Sequence, residues 1–142
     1  MVNTFDSSES VSDLRAARFT ISAYVVVALG TLVLLAILAK VDPRQAGESA
    51  WVHAVIVAFF AALLPLRMRA ATAGRVAGLR AVGLIAAALF LVNVVEALLP
   101  GTFPGWMRLE MVGIAVMMAV LILLVVRIRL RSHARDAEPA AR

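Results

Sequence analysis

The sequence predicts an all-α fold, a polytopic membrane protein whose four transmembrane helices pack as two antiparallel hairpins into a four-helix bundle. Hydrophobic residues make up 63% of the 142 residues, and the mean hydropathy of +0.94 is well above that of a soluble domain. These residues fall in four blocks, with charged residues between the blocks. A helix needs about 20 apolar residues to cross about 30 Å of hydrocarbon, and most of the blocks approach that length. The pattern therefore indicates lipid, not water, as the surrounding solvent.

The predicted four-helix domain covers 18–130 and is flanked by two tails. Residues 1–17 are polar and acidic and lack the positive n-region of a secretory signal, so we expect a retained, disordered tail. Residues 131–142 form a basic tail whose end we also expect to be disordered.

The first span, 19–39, carries no charge, and twelve of its residues are Leu, Ile, Val or Phe. At about −0.3 to −0.6 kcal/mol each, they favour insertion by about 4–7 kcal/mol in total. Its polar side chains, Tyr24 and Thr31 among them, are interpreted as bonding to backbone or packing against another helix. A charged stretch with Pro43 and Gly47 follows, so the chain is expected to reverse there.

The second span, 51–66, opens with an interfacial Trp and is short for a membrane crossing. Ala54, Ala58 and Ala62 recur every four residues, and we interpret them as the seam along which this helix packs against a neighbour. Pro65 lies in the last predicted turn and is expected to kink or end the helix.

The connector 67–80 contains four arginines and is predicted to be a loop. Gly74 and Gly78 give it a GxxxG spacing, which is a weak signal in a charged segment. Together with the C-terminal tail, this connector is a candidate surface for anionic lipid headgroups.

The third and fourth spans, 80–99 and 107–126, are separated by a turn rich in Pro and Gly. The fourth span contains a second set of small residues, which we interpret as its packing seam: Gly113, Ala115 and Ala119.

The distribution of basic residues predicts the orientation. Eleven of the fourteen Lys and Arg residues lie in 1–18, in the 67–80 connector and in 127–142. The positive-inside rule then places both termini in the cytoplasm. The strong preference for Arg suggests a bacterial genome, and hence the bacterial cytoplasmic (inner) membrane. Because the basic residues flank apolar blocks, nucleic acid is not a predicted partner.

Several flanking residues recur at nearly constant spacing. Arg80 follows Arg18 by 62 residues, and Arg129 follows Arg69 by 60 residues. A duplicated hairpin would produce this spacing, and so would four unrelated helices of similar length. The sequence leaves both explanations open.

Five polar residues are predicted to gather in the outer half of the bundle. Glu96 and Asn93 lie one turn apart in the third span, and an ionisable residue there is costly enough to suggest a function. His53 and Glu110 begin the second and fourth helices at a similar depth, and Arg108 lies at the outer rim.

Three interpretations of these residues compete. The carboxylates reach the interface or pair with Arg108 while Asn93 bonds a neighbouring helix, which requires no function. Alternatively, Glu96 with Asn93, Glu110 and His53 binds a proton or cation in a small coupled transporter. Least favoured is a metal or acid–base site of an enzyme formed by His53 and the two glutamates, which have no local spacing motif.

No catalytic, cofactor-binding or metal-binding motif occurs in the sequence, and the absence of Cys excludes thiolate sites. The leading hypothesis is therefore a membrane protein that acts by association, as an accessory subunit or a homo-oligomeric scaffold. Its expected partners are the lipid bilayer and a second copy or another membrane protein. The coupled transporter is the alternative.

Overall fold

The computed structural model describes residues 4–137, with the side chains of 11–75 and 77–134. Its four long helices are α1 (Thr4–Val41), α2 (Glu48–Thr72), α3 (Val76–Leu98) and α4 (Gly105–Ala137), with a short 3-10 helix at Pro43–Gln45. Each long helix contains a stretch long and apolar enough to cross a membrane. The all-α class and the number of candidate spans are thereby confirmed.

The helices contact one another in a ring that follows chain order. Each helix packs against the next one, and α4 returns to pack against α1. The connections between α1 and α2 and between α3 and α4 lie where the sequence predicted reversals, and in the second of these Gly101 has a φ of +73°. Short connections between contacting helices make consecutive helices antiparallel.

Each helix buries one face whose residues are spaced alternately three and four apart. This 3.5-residue repeat keeps one side of a helix against its neighbours, as in left-handed bundles. In α1 the face contains Ala17, Ile21, Tyr24, Ala28, Thr31 and Leu35. In α2 it contains Ala50, Ala54, Val57, Ala61, Leu64 and Met68. In α4 it contains Met107, Met111, Ile114, Met118, Leu121 and Val125.

The predicted alanine seam of α2 coincides with this face only at its start. Ala54 is buried, Ala58 is half-buried and Ala62 is exposed. A stripe that repeats every four residues rotates by about 40° per step around a helix of 3.6 residues per turn. It therefore leaves a contact face that repeats every 3.5 residues.

The predicted seam of α4 is also only partly buried within the chain. Ala115 is buried and Ala119 is half-buried, but Gly113 is exposed. No heavy atom lies within 4 Å of the position that a Cβ of Gly113 would take. Ala62 and Gly113 thus lie on the outside of the bundle.

Large apolar side chains cover that outside. Phe19, Leu84 and Leu109 are each more than 70% exposed, at 74%, 72% and 74%. Soluble proteins rarely expose contiguous apolar surface on this scale. The surface is typical of a bundle surrounded by lipid.

The first and last helices, α1 and α4, extend beyond their apolar blocks. The segment 1–17 was expected to be disordered, but α1 begins at Thr4, and residues 1–3 lie outside the described part of the chain. Arg131 of α4 donates to Asp13 at 2.8 Å, and Ala17 is buried, so the helices stay in contact past the predicted span. Likewise, α4 continues through most of the predicted 131–142 tail to Ala137; residues 138–142 lie outside the description.

The predicted 67–80 loop is mostly helical. Pro65 lies inside α2, which continues to Thr72, and only 73–75 separate α2 from α3. Gly74 has a φ of +80°. Its N–H donates to the carbonyl of Ala71, and the N–H of Arg75 donates to the carbonyl of Ala70. These two bonds form a Schellman motif, in which glycine readily takes the left-handed position and ends the helix.

The other glycine of the connector marks the closest approach of α2 and α3. A Cβ added at Gly78 would lie 2.5 Å from the backbone nitrogen of Ala71. The GxxxG spacing therefore combines two separate requirements, a left-handed backbone at Gly74 and close backbone packing at Gly78.

We expect Gly78→Ala to lower the free energy of unfolding by about 1–3 kcal/mol, because backbone atoms must move to admit the methyl group. Gly113→Ala is the matched control, because it adds a methyl group to an open helical position. It should be neutral or stabilise by up to about 1 kcal/mol through helix propensity. Denaturant titration in detergent, followed by circular dichroism, measures both. Equal free energies for the two variants would contradict the proposed close approach.

Candidate functional site

A layer of polar side chains crosses the bundle near one end. It consists of Thr31 from α1, His53 from α2, Asn93 and Glu96 from α3, and Glu110 from α4; we call it the polar cluster. Consecutive helices run in opposite directions. The C-terminal ends of α1 and α3 therefore lie at the same end of the bundle as the N-terminal ends of α2 and α4. Every helix thereby contributes to one level of the bundle.

The polar cluster divides the apolar core in two. The larger core extends from the other end of the bundle to Ala28, Val57, Leu89 and Ile114. The smaller core is built from Leu35, Ala50, Ala54, Met107 and Met111. The cluster residues lie in sequence between or beside these two sets, so they are enclosed by apolar side chains on both sides.

His53 and Glu96 are in direct contact. The Nδ1 atom of His53 lies 2.5 Å from Oε2 of Glu96. The His53 side chain is 2% exposed and that of Glu96 is 22% exposed. With Glu96 ionised, the carboxylate only accepts, so the hydrogen of this contact is on Nδ1; in a neutral ring Nε2 is then an acceptor.

Phe103, in the connection between α3 and α4, covers the imidazole of His53. The two rings meet edge to face, with centroids 5.9 Å apart and planes inclined at 64°. Of the His53–Glu96 pair, Glu96 is the more exposed member.

Glu110 is held by Thr31. The Thr31 hydroxyl donates to Oε1 of Glu110. The hydroxyl oxygen of Thr31 also lies 3.0 Å from the carbonyl oxygen of Val27. A hydroxyl has one hydrogen, so it cannot donate to both oxygens at once. When it donates to Val27, the contact with Glu110 requires that the carboxyl group carry a proton. The pair thus has two arrangements that differ by one proton.

Asn93 is fully buried and its amide orientation is fixed. Its Nδ2 donates to the carbonyl of Leu89 at 2.8 Å, and a carbonyl can only accept. The Oδ1 atom therefore faces away from that bond. Residues three apart share a helix face, so Asn93 lies on the same side of α3 as Glu96.

Three buried atoms of the polar cluster have no hydrogen-bond partner among the described residues. They are His53 Nε2, Asn93 Oδ1 and Glu110 Oε2. With the imidazole neutral, all three are acceptors, and each buried unsatisfied group costs about 1–3 kcal/mol. A fourth unpartnered atom, the donor Nε1 of Trp106, belongs to a residue packed against the smaller apolar core. In that state, the described residues of the polar cluster have too few hydrogen-bond donors for their acceptors.

Arg108 does not neutralise the carboxylates, contrary to one interpretation of the sequence. Its side chain is exposed, and its Nε–H donates to the carbonyl of Ala97 at 3.0 Å, near the end of α3. Neither Glu96 nor Glu110 forms an ion pair with it in the described part of the chain. His53 can become positive, and it interacts electrostatically with Glu110.

Within residues 4–137, no group of three His, Cys, Asp or Glu side chains is placed to hold a metal ion. His53 and Glu96 form a pair, and Glu110 has Thr31 as its partner. The geometry gives no support to the enzyme interpretation that joined these three residues in one metal site.

The comparisons with known proteins leave the site to be interpreted from its geometry. No protein-family model matches the chain, and searches of curated proteins and of solved structures find no similar protein.

Sequence reasoning missed the contribution of α1 to the polar cluster. Thr31 was interpreted as bonding to backbone or packing, but it also holds Glu110, and Tyr24 donates to the carbonyl of Val57 at 2.8 Å. Tyr24 interacts electrostatically with Glu110. The sequence spacing could have indicated this, because Thr31 follows Tyr24 by seven positions and both therefore lie on one face of α1.

We expect Thr31→Val to destabilise the protein by about 1–3 kcal/mol, because it leaves the Glu110 carboxyl group without its partner. Thr20→Val is the matched control, since the Thr20 hydroxyl also donates to the carbonyl four residues earlier at 3.0 Å but has no contact with a carboxylate. It should cost about 0.5–1.5 kcal/mol. Unfolding free energies in detergent measure the difference, which should vanish when Glu110 is replaced by Leu. A Thr31→Val effect no larger than the control effect would show that the contact has no energetic weight.

Proposed function

We propose that this protein is a small proton- or cation-coupled carrier of the bacterial cytoplasmic membrane, with the polar cluster as its binding site. The observation that carries the proposal is the surplus of acceptors at the cluster. The cluster contains the His53–Glu96 pair and the Thr31-bonded Glu110, and with His53 neutral three of its buried atoms are acceptors with no donor among the described residues. Such a site favours the binding of a proton or a cation.

Membrane insertion is supported by the outer surface of the bundle. Four apolar helices present large hydrophobic side chains outward, while the ionisable groups of the cluster point inward. Ionisable residues inside a membrane are expected to face the bundle interior and to mark ion or proton pathways. The distribution of Lys and Arg supports a cytoplasmic location for both termini, and in that orientation the polar cluster lies in the outer half of the bundle.

The polarity of the site favours positive ligands over anions. With His53 neutral and both glutamates ionised, the cluster carries two negative charges, and Arg108 is directed to Ala97 instead. An anion would meet repulsion in a medium of low dielectric constant. A proton on either carboxyl group or on His53 reduces that charge and supplies a missing donor.

Access to the site is asymmetric in this conformation. Glu96 is 22% exposed at the near end. Towards the other end, the hydrogen bond between Tyr24 and Val57 is buried, and the larger core closes the bundle around Leu64 and Leu121. In the proposed carrier, this conformation is the outward-accessible state. Release of the ion to the other side requires the hydrogen bond between Tyr24 and Val57 to break.

The carrier is tested by ion uptake into proteoliposomes. With a potassium gradient and valinomycin setting the membrane potential, trapped pyranine reports proton entry and radioactive sodium reports cation entry. We expect Glu96→Gln and Glu110→Gln to reduce uptake to the level of protein-free vesicles, because each removes a charge that binds the ion. Glu48→Gln, at an exposed position in the first turn of α2, is the matched control and should retain uptake. Unchanged uptake in Glu96→Gln, or no uptake of either ion by the wild type, would contradict the carrier.

Association remains a second candidate because of where the small residues lie. Gly113 is on the outer surface with open space around it. Beside it, Ala97, Ala115 and Ala119 line an apolar groove of about 390 Å³ between α3 and α4. Small residues on a lipid-facing surface let a second helix approach closely. A homo-oligomer through this face is compatible with a proton site in each copy.

We expect crosslinking in mild detergent to give a dimer that Gly113→Leu weakens, because a large side chain would keep the helices apart. Gly30→Leu is the control. Gly30 is also exposed, and no heavy atom lies within 4 Å of the position that its Cβ would take, but it lies on α1. A strictly monomeric wild type, or equal weakening by both variants, would count against association through α4.

A further inference from the structure

At the end of the bundle opposite the polar cluster, a groove runs between α1 and α2. It has a volume of about 430 Å³. Arg18 and Arg69 line it, together with the hydroxyl groups of Ser22 and Thr72. Arg15 lines an adjoining hollow that shares Arg18 and Thr72 with the groove. Three guanidinium groups and two hydroxyl groups are therefore concentrated at one place.

The three guanidinium groups have no hydrogen bond or ion pair with any residue that the structure describes. Two other arginines are occupied by protein groups: Arg131 bonds Asp13, and Arg108 bonds the carbonyl of Ala97. A guanidinium presents its donors in a planar fork that matches the oxygens of a phosphate group. The groove thus offers donors of the kind that phosphate recognition uses.

The two hydroxyl groups can contribute to the same ligand. Ser22 now donates to the carbonyl of Arg18 at 3.0 Å, and Thr72 donates to the carbonyl of Arg69 at 2.9 Å. Both side chains are exposed. A hydroxyl hydrogen rotates to suit its partner, so each can turn from its own helix towards an anion in the groove.

The remainder of the groove is apolar. Val25, Val26 and Pro65 continue its wall away from the arginines, along the part of the bundle that lipid would surround. A free phosphate ion would leave this wall uncovered, whereas a phospholipid would place its headgroup on the arginines and an acyl chain along the wall.

We propose that this groove binds an anionic phospholipid, with the phosphodiester on Arg18 and Arg69 and an acyl chain against Val25 and Val26. A zwitterionic lipid is disfavoured because its own positive charge would meet the Arg residues. Basic pockets between membrane helices commonly bind anionic headgroups. The inference rests on the proposed membrane insertion but not on ion transport, since the polar cluster lies at the other end.

The chain contains a matched comparison in a second groove, between α3 and α4. Arg80 and Arg129 line it, at the positions that follow Arg18 and Arg69 by 62 and 60 residues. Gly83 and Leu84 then stand where the first groove has Ile21 and Ser22, and Val125 stands where it has Pro65. The second groove therefore has a similar pair of arginines at the same end of the bundle but lacks the hydroxyl groups and the third arginine.

The experiment compares two double variants with equal charge loss, Arg18→Gln/Arg69→Gln and Arg80→Gln/Arg129→Gln. Delipidated full-length protein in neutral detergent is titrated with phosphatidylglycerol, phosphatidylcholine or inorganic phosphate, and native mass spectrometry measures the bound fraction. We expect phosphatidylglycerol to bind the wild type in preference to the other two ligands. The first double variant should lose at least about tenfold more affinity than the second, because general attraction to the surface is reduced equally in both.

Several results would overturn the proposal. Equal losses in the two variants would mean that only surface charge attracts the lipid. Equal binding of phosphatidylcholine would remove the requirement for an anionic lipid, and binding of inorganic phosphate alone would reduce the groove to an anion site. Circular dichroism in detergent confirms that the variants fold. Retained lipid binding by Glu96→Gln, even if ion uptake fails, separates this inference from the carrier.

Discussion

The contact between His53 and Glu96 joins α2 to α3 at the level where the apolar core is interrupted. A buried pair of this kind contributes little net stability, because removing both groups from water opposes their attraction. Breaking it is nevertheless expensive, since the remaining group would be buried without a partner. The beginning of α2 and the end of α3 are thus fixed relative to each other, and the polar cluster is built around that fixed point.

The helical repeat determines which side chains join this layer. Thr31 and Asn93 occupy core-facing positions of α1 and α3, while His53 and Glu110 lie directly beside the core residues Ala54 and Met111. Because all four helices bury a face with a near-heptad spacing, these polar groups are directed inward and the large apolar residues are left outside. The arrangement is costly for stability, since three acceptors remain unsatisfied among the described residues. A bound proton or cation would offset part of that cost.

The number of helices and the level of the polar residues could be predicted from the sequence because both depend on hydropathy and chain direction. The helix ends could not. Arg67 and Arg69 suggested a loop, but they lie exposed on α2, which continues beyond the apolar block until Gly74 terminates it. At the N-terminus, the Asp13–Arg131 pair connects residues 118 apart in sequence, which no local pattern reveals.

Pairing within the cluster also lay beyond sequence analysis. Arg108 was a reasonable partner for the carboxylates by charge, but the end of α3 supplies a free carbonyl within its reach. Thr31 resembled any threonine in an apolar helix, where bonding to the carbonyl four residues earlier is usual. The α2 seam coincides with the intrachain contact only at its start, because spacing of four residues follows a helix face only briefly, whereas bundle contacts repeat every 3.5 residues.

In the proposed carrier, the polar cluster holds an exchangeable proton inside the bundle. Infrared difference spectroscopy of the protein in lipid bilayers, recorded as the pH is lowered, tests it most directly through the carbonyl stretch of a protonated carboxyl group. We expect a band that is sensitive to deuterium exchange, is lost or altered in Glu96→Gln and Glu110→Gln, and is retained in Glu48→Gln. A spectrum that is the same in the wild type and in both cluster variants would contradict it.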